Sequence, residues 1–487
     1  MNITIIGTGY VGLVTGTCLS DFGFPVTCVD IDDSKIARLN ALDIPIYEPG
    51  LEELVARNSE AGRLRFTTDM ENAVANADVV FIAVGTPSAP GSGAVDMSWV
   101  DAAAKTIAGA LQGFTVVVTK STVPVGTARR LAKIISEANP DADYAMASNP
   151  EFLREGSAID DFFKPDRVVV GVEDARAAKS LRTLYAPLKL EADRIMFTGF
   201  ETAEMIKYAA NAYLATRIGF VNELSNLCER ADADIAQVTR AMGTDKRIGP
   251  HFLQPGPAFG GSCFPKDTRA FAAAGRAYGT EMRLVEATIA SNETRKLDMV
   301  DKIRSAFGGS VAGKRIAVLG IAFKANTDDL REAASLTIIP KLQAEGATIL
   351  VHDPLAGREA RDKLPQVTWC SEPEHAYNGA DGLVVLTEWE QYRTLDLRTV
   401  ANLMHGKVIV DLRNLFNPME MRKLPFEYHS LGRQPIVAEV DPRWLPTAKE
   451  VADILQLHRG TGTNIASWRG ERRRAERRRD TPKVSNF

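Results

Sequence analysis

The sequence predicts an α/β protein with two doubly wound parallel-sheet domains joined by a helical segment. Three observations predict it. The N-terminus runs strand, glycine turn, helix, strand and acid in order; residues 201 to 232 carry no helix breaker except Gly219; and strands alternate with helical stretches again from residue 313.

In the first element NITII reads as a buried strand, GTGYVG as the turn, and the apolar stretch after it as a helix. A second strand, PVTCVD, closes on Asp30, 18 residues after the last of Gly7, Gly9 and Gly12. Glycine serves the tight turn, the close approach of backbone to a pyrophosphate, and the packing of helix on strand; the helix N-terminus then faces the phosphates. Asp30 would hold ribose hydroxyls and repel a 2′-phosphate, which favours NAD over NADP. ADVVFIAVGTP, FTVVVTKSTVP, DYAMASNP and DRVVVGV continue a Rossmann-like sheet over about the first 200 residues.

The long central helix follows, its apolar positions covering more than one stripe, as suits burial on several sides or a dimer interface. The second α/β unit reads KRIAVLGIAFK, helix SLTIIPKLQAEG, then ATILVHDP, GLVVLTEW and KVIVDLRN. Its first turn has Gly320 alone, so its ligand is not expected to be a second dinucleotide. The expected domains are 1–200, 201–300 and 313–433, with an extension over 434–487. In that extension WRGERRRAERRRD sets seven arginines against three acids, a pattern expected of a solvated, disordered tail.

Composition is that of a soluble globular protein, with 45% hydrophobic and 25% charged residues and a net charge of -4, and nothing global suggests nucleic acid. The uncharged first twenty residues lack a basic n-region and are interrupted by glycines at 7, 9, 12 and 16, so they are not read as a signal peptide. No other stretch is apolar enough to span a bilayer; a cytoplasmic protein is expected. The five cysteines form no CxxC pair and the six histidines no HxH or HExxH spacing, so no metal is expected. Cys18, Cys28, Cys228 and Cys370 read as buried small hydrophobes.

Cys263 differs. It lies in PGPAFGGSCFPKDTRAF, at or just before a helix read as starting at Pro265, with Gly260 and Gly261 allowing close approach of a ligand. The helix N-terminus and Lys266 would lower its pKa from the usual ~8.5 and make a thiolate nucleophile. Lys207 and Asn211, four apart on the long helix, share a face and could stabilise an oxyanion.

GTGYVG, IYEPGLEEL, VGTP, KSTVPVGT, NPEFLREG, MIKYAANAYLA, RIGPHF, FGGSCFPKD and AFKANTDDLREA occur in this order. Together they resemble the UDP-glucose/GDP-mannose dehydrogenase family, its UDP-glucose 6-dehydrogenases in particular, over residues 1 to 433. The resemblance implies oxidation of a sugar CH2OH to a carboxylate by two NAD in succession. Cys263 would carry a thiohemiacetal and then a thioester. It further implies that Lys207 and Asn211 stabilise oxyanions, that Asp267 and Thr122 order the water taking the alcohol proton, and that Glu151 assists hydrolysis.

For NAD the same resemblance implies Gly7, Gly9, Val11, Gly12, Asp30, Lys35, Thr86, Thr122 and Glu155, with Lys266 nearby and Arg331 reaching over from the second sheet. For the UDP-sugar it implies Glu151, Phe152, Leu153, Glu155, Lys207, Asn211, Phe252, Leu253, Gln254, Pro255, Gly256, Gly260, Phe323, Lys324 and Arg413. Arg247 would cross from a neighbouring subunit of a homodimer built on the central helix. The two prolines of FLQPGPAFGG bear on sugar selectivity.

Three other functions compete. A sister dehydrogenase acting on GDP-mannose or a UDP-N-acetylhexosamine would share the thioester chemistry. A two-electron β-hydroxyacid dehydrogenase would have no use for Cys263 or the second sheet. A non-catalytic NAD-binding sensor would not need Cys263, Lys207, Asn211 and Asp267 together.

Overall fold

The computed structural model describes residues 1–437 except 90 and 92. The first sheet comprises β1 (Ile3–Ile6), β2 (Val26–Val29), β3 (Leu64–Thr67), β4 (Val79–Ile82), β5 (Thr115–Thr119), β6 (Tyr144–Ser148), β7 (Val168–Val172) and β8 (Ile195–Thr198). Its order is β3-β2-β1-β4-β5-β6-β7-β8, parallel throughout except for the antiparallel β6–β7 pairing. Alternate strand residues enter opposite cores. Val79, Phe81, Val116 and Val118 pack on one face, Val80, Ile82 and Val117 on the other, so these strands read as unbroken apolar runs.

The second sheet holds β9 (Arg315–Leu319), β10 (Thr348–His352), β11 (Thr368–Trp369), β12 (Gly382–Val385), β13 (Val408–Asp411), β14 (Glu427–Ser430) and β15 (Ile436–Val437). In the order β11-β10-β9-β12-β13-β14-β15, it repeats the doubly wound plan and adds one antiparallel edge strand. In both sheets the order reverses beside the first strand, and an open α/β sheet takes its ligands outside the strand carboxyl ends at such a reversal.

Three helices lie between the sheets: the long helix Phe200–Arg230, the cysteine helix Phe264–Ala277, and Arg283–Ala306. The long helix has 31 residues and packs against both of the others and the first sheet. The cysteine helix starts at Phe264, one residue before the expected Pro265, with Cys263 as its N-cap residue. Among the described residues no helix is long and apolar enough to cross a membrane. The arginine-rich segment expected to be a solvated tail lies outside the described residues.

Two sequence expectations need correction. Strands β3, β8, β11, β14 and β15 lie outside the strands the sequence predicts, being at or near sheet edges, where exposed positions such as Arg65 and Glu427 break the apolar run. Cys370 is half-buried rather than buried because it follows the edge strand β11; Cys18, Cys28 and Cys228 are buried as expected.

Candidate active site

The carboxyl ends of the strands deliver most of the expected residues to one place. Thr122 follows β5, Glu151 follows β6, Phe323 and Lys324 follow β9, and Arg413 follows β13. The cysteine loop lies between them. Gly261 N donates to Arg331 O at 2.7 Å, and Ser262 Oγ donates to Glu155 Oε1 at 2.9 Å. Gly261 sits at φ 81°, and a Cβ there would come within 2.7 Å of the Phe323 ring, so glycine is required on both counts.

Lys207 and Asn211 are buried, unlike most polar pairs at this spacing. Lys207 Nζ donates to Glu151 Oε1 at 3.0 Å, with both side chains almost fully out of solvent. Asn211 Nδ2 donates to Asp267 Oδ2 at 2.6 Å, and Lys266 Nζ donates to Asp267 Oδ1 at 2.6 Å. Phe152 carries the Arg167 guanidinium over its ring at 3.8 Å and Lys207 Nζ at 5.4 Å.

The electrostatics reverse one expectation. Burial pushes the Cys263 thiol up to about 11; Lys207 works to lower it, while Glu151 and Asp267 raise it further. Lys266 is no help, because it is paired with Asp267. The ligand-free site therefore stores a thiol, not a thiolate. Burial also works to depress Lys207, but the charges of Glu151, Cys263 and Asp267 outweigh it and hold its pKa above the ordinary lysine value. Glu155 is raised to about 7 by burial and the Asp329 charge, against the pull of Arg331 and Ser262. Burial lowers Lys324.

The dinucleotide residues fit that ligand. A Cβ on Gly7 would meet Ala83 O at 2.7 Å and one on Gly12 would meet Gly7 O at 1.9 Å, whereas beside Gly9 nothing lies within 4 Å. Gly9 thus leaves free the side on which a pyrophosphate would approach, and Val11 stands half-buried in the first turn of the helix that Gly9 caps. Asp30 Oδ2 accepts from Thr8 N at 2.9 Å, Thr8 Oγ1 at 2.6 Å and Lys35 Nζ at 2.9 Å. Burial opposes ionisation of Asp30, but these donors hold it down to about 2, so it is an anion at neutral pH. Arg331 Nη2 reaches Glu155 Oε1 at 3.2 Å from the second sheet; Thr86 and Thr122 are half-buried.

Among the residues expected to meet the UDP-sugar, Arg413 donates to Leu386 O at 2.8 Å and to Phe323 O at 2.6 Å, and its Nη1 stands 3.3 Å from where a Gly256 Cβ would be. A Cβ on Gly260 would meet Glu332 O at 2.7 Å. Phe252 (φ 60°) packs its ring against Phe264, and Pro255 is buried. Three expected residues turn elsewhere. The Leu253 side chain belongs to a core with Val221, Cys228 and Ile235, Gln254 is exposed, and Arg247 is 89% exposed and paired with Asp245. Leu153 packs on the core of the first sheet.

Sequence reasoning missed the residues that support these loops. Glu48 accepts from Gly156 N at 2.6 Å, from Ala158 N at 2.7 Å and from Tyr10 OH, tying the glycine turn to the segment after Glu155. Lys120 Nζ donates to Asn149 Oδ1 at 2.9 Å, joining the ends of β5 and β6. A lone lysine directly after the apolar run TVVVT was the available signal.

Comparison with known proteins identifies the family of the domains that carry this site. The NAD binding domain of the UDP-glucose/GDP-mannose dehydrogenase family matches residues 1–189, its central domain 201–294, and its UDP binding domain 317–418. The UDP-glucose 6-dehydrogenase of Rhizobium meliloti is 50% identical over 435 residues, 89% of this chain and 100% of that protein. The UDP-glucose 6-dehydrogenase TuaD of Bacillus subtilis is 46% identical over 90% of this chain and 95% of its own length. A solved UDP-glucose dehydrogenase from Pyrobaculum islandicum superposes with a TM-score of 0.81 at 40% identity, covering 88% of this chain and 96% of that one. By these matches the chain belongs to the UDP-glucose/GDP-mannose dehydrogenase family.

Proposed function

We propose that this chain catalyses the NAD-dependent four-electron oxidation of UDP-glucose to UDP-glucuronate, with Cys263 as the covalent nucleophile. The observation that carries this reading is the burial of Lys207–Glu151 and Asn211–Asp267 beside the Cys263 loop, where the two sheets present their strand ends. The relatives 46% and 50% identical are UDP-glucose 6-dehydrogenases, which supports UDP-glucose as the sugar nucleotide. In this reading residues 1–200 bind NAD, 201–300 carry the dimer contact and the cysteine loop, and 313–433 bind UDP.

When bound, NAD accepts a hydride in each oxidation. The chain's residues do the rest. Asp267 and Thr122 order the water that takes the alcohol proton. Cys263 Sγ, once deprotonated, adds to the aldehyde carbon to give a thiohemiacetal whose oxygen faces Lys207 and Asn211. Oxidation of that carbon leaves a thioester. Water aligned by Glu151 attacks it, the C–S bond breaks, and the carboxylate leaves as the thiol is restored.

Asp30 and Lys35 meet the adenosine ribose, and Gly7, Gly9, Val11 and Gly12 the pyrophosphate. Thr86, Glu155, Lys266 and Arg331 surround the rest of the cofactor. Phe152, Leu153, Phe252–Gly256, Gly260, Phe323, Lys324 and Arg413 enclose the UDP-sugar, Lys324 as a point charge and Arg413 as a planar fork on diphosphate. The protein works as a homodimer: Tyr213, Phe220 and Leu227, 64%, 54% and 61% exposed, recur every seven residues along one face of the long helix. Five free cysteines suit the reducing cytoplasm.

The test is stoichiometry. Each UDP-glucose should yield two NADH without free aldehyde, and Cys263→Ala should abolish uronate formation. One NADH per sugar, or clear preference for GDP-mannose or a UDP-N-acetylhexosamine, overturns the assignment.

A further inference from the structure

The loop that leads into Cys263 is held from behind by three side chains that no step above uses. Gly256 N donates to Asn222 Oδ1 at 2.9 Å, and Gly256 O accepts from Arg295 Nε at 3.1 Å. Phe259 N donates to Asn292 Oδ1 at 2.8 Å, and Phe259 O accepts from Asn292 Nδ2 at 3.0 Å. Both residues of this loop therefore have their backbone donor and acceptor bound by side chains of the long helix and of Arg283–Ala306. Asn222, Asn292 and Arg295 are each 3% exposed.

Arg295 is the unusual member. Besides Gly256 O, its guanidinium donates to Ser225 Oγ at 3.2 Å, to Asn222 O at 3.4 Å and to Asn226 Oδ1. All these acceptors are neutral. A buried cation without a carboxylate against it is costly, and burial depresses this guanidinium to about 10, with only the charges of Glu229 and Asp298 opposing. An apolar side chain of similar volume would serve the core with less penalty, but it could not hold a carbonyl of the loop. On their far side Asn222, Asn226, Asn292 and Arg295 line a cavity of about 230 Å³ between the two helices.

We infer that Arg295 is a positioning residue for the nucleotide sugar: with Asn222 and Asn292 it sets the Gly256–Phe259 backbone against the substrate, from a cavity that small solutes can enter. The inference rests on the reading that Phe252–Gly256 and Gly260 receive the UDP-sugar. Its physical lever is the close spacing of Gly256 and Arg413, 3.3 Å from the position of a Cβ to Nη1, which slackening of the loop would open.

Full-length Arg295→Ala should raise KM for UDP-glucose about tenfold or more, with KM for NAD and kcat within about threefold of the parent. Guanidinium chloride, well below denaturing concentrations, should then restore much of the lost KM, because the cavity admits the missing cation beside its former acceptors. It should do nothing for the parent or for Asn292→Ala. Arg295→Lys should fall between parent and Ala, and exposed Thr294→Ala should match the parent. If Arg295→Ala does not fold, Arg295→Lys and Asn292→Ala decide, each expected to raise KM for UDP-glucose alone. An unmoved KM for UDP-glucose, or a joint change in kcat and both KM values without guanidinium rescue, overturns the inference and leaves a structural role. If the parent itself does not oxidise UDP-glucose, the functional reading fails and takes this inference with it.

Discussion

At the scale of single residues, the resting state of Cys263 is set first by burial and then by three charged neighbours that oppose one another. Lys207 favours the thiolate, Glu151 and Asp267 disfavour it, and burial raises the pKa to about 11. Alkylation of Cys263 in the ligand-free protein should be slow at neutral pH and accelerate about tenfold per pH unit up to about 11, read by peptide mass spectrometry. Glu151→Gln removes a nearby negative charge and should speed it at fixed pH; Lys207→Met should slow it. Insensitivity to both would mean that these charges do not control the thiol. Asp30 gives a second residue-scale prediction. Held ionised by Thr8 and Lys35, it repels a 2′-phosphate, so Asp30→Ala should narrow the preference for NAD over NADP in paired kcat/KM measurements.

The elements show why some strands were legible and others were not. β4 and β5 are buried on both faces and read as continuous apolar runs; β3 and β14 alternate buried with exposed or half-exposed residues. β10 ends on a buried histidine whose Nδ1 lies 2.8 Å from Tyr392 OH. Burial lowers His352 from 6.5 to about 4, so between these values the unfolded chain binds more protons than the folded one. Its contribution to stability is complete above about 6.5 and is lost as pH falls toward 4. The Tm difference between the parent and His352→Gln should therefore shrink across that window, and a constant difference would refute this.

At the scale of the whole molecule, the apolar seam of the long helix and Arg247 make one joint prediction. Phe220→Asp places a charge in the middle of the exposed stripe and should shift the protein to monomer in sedimentation velocity. Because Arg247 points into solvent in the single chain, the monomer should also bind UDP-glucose more weakly while retaining NAD if the proposed dimer brings Arg247 to the neighbouring site. A monomeric variant with an unchanged KM for UDP-glucose would exclude a cross-subunit role for Arg247.

The sequence alone determined the two sheets, the dinucleotide turn, the long helix and the cysteine at a helix N-terminus, because each is a local pattern of spacing along the chain. Tertiary structure decided what these residues are chemically. Lys207 and Asn211 become a buried pair of charge and amide only because Glu151 and Asp267 arrive from elements 56 residues away in either direction. Asn222, Asn292 and Arg295 hold the Gly256–Phe259 loop only because two helices far apart in sequence pack around it. The thiol's pKa was misjudged for the same reason. A helix N-terminus and an adjacent lysine are visible in sequence, whereas desolvation and the facing carboxylates exist only once the chain has folded.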